Sequence, residues 1–186
     1  MNIRDHINSG DWILVFPKKG QWLGQAINTL TFGKVSHAVL VVDKDTLFET
    51  DGDIGKAIFT KPEKYEARHL AIVSPVHMKD RYDQILAECK KLEGSPYSYW
   101  DIFTNASFFW LAAPIRKKVV SFFGSKRFMV CSELVARITY EATESSVFYD
   151  SRAELMNYEG LTPEDLRDMA FEYPEEYKVF EYNKPK

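Results

Sequence analysis

The sequence predicts an α+β domain on a small, mostly antiparallel sheet. Three observations carry this. Short runs of β-branched and aromatic residues follow one another between residues 12 and 73, joined by turn residues. Amphipathic helical patterns cluster mainly after residue 79. The 186 residues are 45% hydrophobic and 15% aromatic, a composition that builds a core and excludes disorder. Segregated strands and helices favour an antiparallel sheet over alternating parallel units.

Each element has a local reason. Gly10-Asp11 precedes Trp12–Phe16, a buried strand closed by Pro17. Residues 20–31 suit a short helix, and Gly33-Lys34 turns the chain. Val35–Val42 is β-branched and reads as a central strand. Asp43-Lys44-Asp45 turns into Thr46–Thr50, making a hairpin. Ala57–Phe59 and Leu70–Val73 supply further strands. In residues 79–93, Ile85, Leu86, Cys89 and Leu92 share one helical face. An aromatic segment, 102–123, reads as a helical hairpin within an insertion at about 102–125. A helix runs from Cys131 to about Thr143. Thr162 caps another, with Pro163 in its first turn. Residues 176–182 alternate like an edge strand. No repeat or linker interrupts the chain, so residues 1–186 read as a single domain.

Composition narrows the function. The net charge of −3 gives no basic surplus, so no nucleic-acid partner is expected. Two cysteines make no disulfide scaffold. The N-terminus shows no apolar signal region, and no stretch reaches the roughly 18–20 apolar residues that span a bilayer. The default expectation is a cytoplasmic protein; packaging in a virus particle would leave no mark on the sequence.

Chemistry concentrates at Cys131. It opens a helix straight after a strand-like stretch, Arg127–Val130. A helix N-terminus carries partial positive charge and free N–H groups, which favour a thiolate and can bind an oxyanion. Such a nucleophile needs a base, and the base needs an orienting partner. Of His6, His37, His69 and His77, His37 lies inside a strand, on the face of Val39 and Val41. His69 is the runner-up. Glu49, across the hairpin turn, is placed to accept the second ring N–H and support the imidazolium. Asp51 and Asp53 read as solvated. Cys89 reads as a small buried apolar residue.

These residues, taken in order, resemble the permuted NlpC-type papain-like cysteine hydrolases, in particular the YiiX/YaeF-like amidases. Gly10-Asp11-Trp-Ile-Leu-Val looks like the family's opening strand. Ser36-His37-Ala-Val-Leu-Val and Phe48-Glu49 look like its base- and acid-bearing strands. Pro96-Tyr97-Ser-Tyr99-Trp-Asp101 is similar to its Tyr-Asp segment, with extra residues inside. Val130-Cys131-Ser132-Glu133-Leu134 looks like the nucleophile motif, and Leu161–Leu166 like a Thr-Pro element. The resemblance implies a circularly permuted papain-like fold, with the nucleophile helix late in sequence and packed on the sheet. It also implies an acyl-enzyme on Cys131, with His37 as base and Glu49 as its orienting acid. The Cys131 N–H is the expected oxyanion donor. Tyr97, Tyr99 and Ser132 are candidates for oxyanion or substrate binding. No metal or other cofactor is required.

The expected substrate is an amide, such as a peptide or cell-wall peptide. Segment 108–123, apolar with the basic cluster Arg116-Lys117-Lys118, opens a variant: a lipid acylhydrolase or acyltransferase, with peripheral membrane or lipid contact. A non-catalytic papain-like binding or structural module is the competing class. A metal site of Cys131, His37 and a carboxylate is a third, unsupported by any paired-ligand spacing. The oligomeric state is not written in the sequence.

Overall fold

A computed structural model describes residues 2–18, 33–52, 54–96, 130–143 and 161–183. Six strands form one antiparallel sheet: β1 Trp12–Val15, β2 His37–Asp43, β3 Thr46–Asp51, β4 Lys56–Thr60, β5 Leu70–Pro75 and β6 Tyr177–Tyr182. Their spatial order is β4-β3-β2-β1-β5-β6. The described helices are α1 Tyr82–Leu92, α2 Cys131–Thr143 and α3 Pro163–Glu172, with short 3-10 helices at Ile3–Asp5, Pro62–Tyr65 and Val76–Met78. The α+β class and antiparallel sheet expected from the sequence are present. The proposed helix at 20–31, the aromatic segment 102–123 and the insertion holding it lie outside the described residues.

Strand alternation divides the core in two. Trp12, Leu14, Ala38, Leu40, Phe48, Ala71 and Val73 face the helices and pack with Ile85, Leu134, Val135 and Ile138. Ile13, Val15, Val39, Val41, Leu47 and Ile72 face the other way, under Ile3, Ile7, Tyr65 and Tyr182. A buried aliphatic side chain of this kind contributes about 1.5–3 kcal/mol. Both faces are therefore covered, which explains why the central strands read as continuous apolar runs.

Three local devices hold the frame. Gly10 has φ +88°, and a Cβ there would lie 2.6 Å from Met78 Cβ, so the Gly-Asp opening requires glycine. Trp12 Nε1 donates to Thr139 Oγ1 at 3.1 Å, tying β1 to α2. At α3, Thr162 Oγ1 accepts from Asp165 N while Asp165 Oδ2 accepts from Thr162 N, a reciprocal cap.

α3 also braces the two elements that matter below. Glu164 Oε2 accepts from Lys34 N and Val35 N at 2.6 and 3.0 Å, fixing the chain just before β2. Ser132 Oγ donates to the Leu161 carbonyl, fixing α2 just ahead of α3.

Candidate active site

Cys131 is the first residue of α2 because the helix is capped around it. Leu134 N donates to the Val130 carbonyl at 3.0 Å, and Val130 N donates to Glu133 Oε2 at 3.3 Å. The thiol therefore stands at the positive end of a helix of 13 residues, among N–H groups without intrahelical acceptors. Glu133 acts in this cap, and the fully buried Ser132 hydroxyl is engaged by Leu161.

His37 is the first residue of β2, paired with Val15 of β1. Ser36 before it is held twice to the Val15 carbonyl, by its N–H at 2.9 Å and its hydroxyl at 3.2 Å. α2 packs on the Ala38 and Leu40 face, whereas His37 has the parity of Val39 and Val41. The ring reaches the thiol because it sits at the strand's end, where the tip of α2 meets the sheet. Cys131 is the first group acting to raise the His37 pKa, so sulfur and ring lie within electrostatic reach of one another.

Glu49 comes from β3. The ladder pairs Leu40 with Phe48 and Val41 with Leu47, so Glu49 falls opposite Val39 and lies diagonal to His37. Sequence reasoning placed it directly across; a long side chain spans the diagonal just as well. His37 Nε2 and Glu49 Oε2 are 2.8 Å apart. With Nε2 committed to Glu49, Nδ1 is the ring nitrogen left for the sulfur. The structure thus brings together Cys131, His37 and Glu49, with a hydrogen bond between His37 and Glu49 and Cys131 within electrostatic reach of the ring.

Two further residues, missed in the sequence, complete it. Tyr65 Oη donates to Glu49 Oε2 at 2.5 Å, and Lys64 Nζ donates to Glu49 Oε1 at 2.8 Å. Lys64 also bonds Asp51 Oδ2 at 2.8 Å. Asp51 is therefore half of an ion pair with a side chain only 13% exposed, not the solvated turn residue the sequence suggested. Asp53, Tyr97 and Tyr99 lie outside the described residues.

Charge follows this geometry. Burial alone would lower the imidazole pKa. Cys131, then Glu49, outweigh it and raise His37 to about 10. Burial pushes the Glu49 carboxyl up, but His37, Lys64 and Tyr65 together hold it below its usual range. Burial and the Glu49 charge push the Tyr65 phenol up, so it stays a protonated donor. Elsewhere, burial pushes the Cys89 thiol up to about 12, the behaviour of an inert core cysteine.

The other histidines are engaged elsewhere. His6 stacks on Phe180 with centroids 4.9 Å apart, and His69 stacks on Phe16 at 3.8 Å. His77 pairs with Glu176.

No family model matches the chain, and no curated protein does. Among solved structures, the fold matches that of the metalloprotein YiiX from Escherichia coli O157:H7, with a TM-score of 0.54. The two chains are 17% identical over 96% of this chain and 97% of that one. The YiiX-like resemblance read from the motifs is thus met in the fold. YiiX is described as a metalloprotein. Among the described residues of this chain, no group of three or more His, Cys, Asp and Glu side chains could hold a metal ion. His37 Nε2 and both Glu49 oxygens are already engaged in hydrogen bonds, so Cys131, His37 and Glu49 do not fit such a group. No helix among the described residues is long and apolar enough to cross a membrane.

Proposed function

We propose that this chain is a cysteine hydrolase of circularly permuted papain-like type, cleaving an amide bond in a peptide or cell-wall peptide. The observation that carries the reading is the Cys131–His37–Glu49 chain at a helix N-terminus. Cys131 and His37 share a proton as a thiolate–imidazolium pair. Sγ attacks the carbonyl carbon, and the Cys131 N–H receives the oxyanion. His37 gives its proton to the amide nitrogen as the C–N bond breaks, leaving a thioester and a free amine. The ring then takes a proton from water. The resulting hydroxide attacks the thioester, and Sγ departs as thiolate with release of the carboxylic acid. Glu49 holds the ring's orientation and balances its charge throughout.

A mixture of peptide amides and activated acyl esters, followed by intact-protein and peptide mass measurement, tests this. The expected result is an acyl adduct on Cys131, missing in C131A. A wild-type thiol that forms no adduct, and alkylates no faster than Cys89, would instead support a binding or structural module.

A further inference from the structure

We infer that Lys64 and Tyr65 are positioning residues that keep Glu49 ionised and aligned, and so set the lower pH limit of thiol activation. This rests on the cysteine-hydrolase reading for its functional meaning. The geometry is specific. Glu49 is 1% exposed, and a buried carboxylate with one partner would tend to take up a proton. Here both oxygens are engaged. Oε2 receives Tyr65 Oη as well as His37, and Oε1 receives Lys64 Nζ. The carboxylate plane therefore cannot turn without breaking a bond.

Both donors come from one turn, the 3-10 helix Pro62–Tyr65, so they move as a unit. Lys64 Nζ lies 5.5 Å from the centre of the Tyr65 ring, and the Tyr65 ring stacks beside His37 at 6.4 Å. The turn is itself anchored. Arg4 bonds Glu63 on it and, through Nε, Asp45 of the β2–β3 turn at 2.8 Å. Among the described residues, the charged or titratable groups facing Glu49 are His37 from β2, Lys64 and Tyr65 from this turn, and Asp51, through Lys64, from its own strand. Cys131 faces the pair from α2.

The sign follows. Without the Tyr65 hydroxyl or the Lys64 cation, Glu49 takes up a proton at higher pH. Once neutral, it no longer supports the imidazolium, and the thiolate is lost with it. Alkylation of Cys131 by iodoacetamide, followed from pH 4 to 9, tests this on the full chain. In Y65F and K64M the acid limb should move up by about one pH unit. K64R, which restores a cation, should return it close to wild type. Thermal melting checks that each variant is folded. Rates reduced equally at every pH, with the limb unmoved, would overturn the inference and leave the two residues merely structural. A wild-type Cys131 no faster than Cys89 would instead overturn the hydrolase reading.

Discussion

Glu49 meets His37 along a diagonal of the β2–β3 ladder, with Val39 lying opposite the acid and 2.8 Å separating Oε2 from Nε2. The pair occupies the sheet face turned away from α2, while the thiol approaches from the helix side at the strand's end. His37, the first residue of β2, thus has Glu49 on one side and Cys131 within electrostatic reach.

Replacing Glu49 with Gln keeps the shape and removes the charge. The imidazolium loses its support, and Lys64 keeps Asp51 as an ionic partner. We expect Cys131 alkylation at pH 7 to slow by about 10- to 100-fold, which is roughly 1.4–2.7 kcal/mol. Urea unfolding should show a stability loss of about 1–3 kcal/mol from the disturbed buried network.

The two thiols should separate cleanly. Cys89 is fully buried, with its thiol pushed up to about 12. Cys131 is itself 4% exposed but stands beside a His37 ring that remains 23% exposed. Iodoacetamide at neutral pH should label Cys131 at least tenfold faster, and H37A should abolish the difference. Peptide mapping of the alkylated chain reads both sites at once.

His37 offers a direct spectroscopic check. Its pKa is raised chiefly by Cys131, against burial. In C131A the ring should titrate at lower pH, seen by NMR of the imidazole nitrogens. The sign for stability is set by the same shift. A histidine raised from about 6.5 in the unfolded chain contributes fully below that value. Its contribution is lost as pH rises towards about 10. C131A should therefore show a shallower alkaline loss than wild type. Glu49, held low, behaves oppositely: its contribution is present above the unfolded carboxylate range and lost on acidification.

Asp11 should behave against that trend. It is 4% exposed, and burial raises its carboxyl to about 6, despite the neighbouring Ser74 and a hydrogen bond from Asn8 N at 2.8 Å. Its favourable contribution is present below the unfolded value and lost as pH rises through about 6. D11N keeps an acceptor for Asn8 and removes the buried charge. It should be more stable than wild type at pH 7 by about 1–2 kcal/mol, and the gap should close towards pH 4. Denaturant unfolding at both pH values checks this.

Much of the frame was legible because its signals are local. The Cys131–Thr143 helix, the Thr162 cap and the hairpin at Lys44-Asp45 announce themselves within a few residues. The triad candidates were legible by residue type, since His37 lies in a strand-like run and Glu49 in the next. The clamp on Glu49 was not. Pro62-Glu63-Lys64-Tyr65 looks like an ordinary charged turn, and its donors sit 15 and 16 residues from the acid they hold. The one hint was that Glu49 and Asp51 share a strand face, so two carboxylates together required a cation. The brace from Glu164 to Lys34 and Val35 crosses 130 and 129 residues, beyond the reach of any periodicity.

That brace bears on how the chain matures. During synthesis His37 and Glu49 leave the ribosome well ahead of Cys131, and α3 follows later still. The start of β2 gains its brace from Glu164 only after residues 161–172 have emerged and folded back onto it. The strand that opens on His37 is thus secured at its start by a helix made long after it.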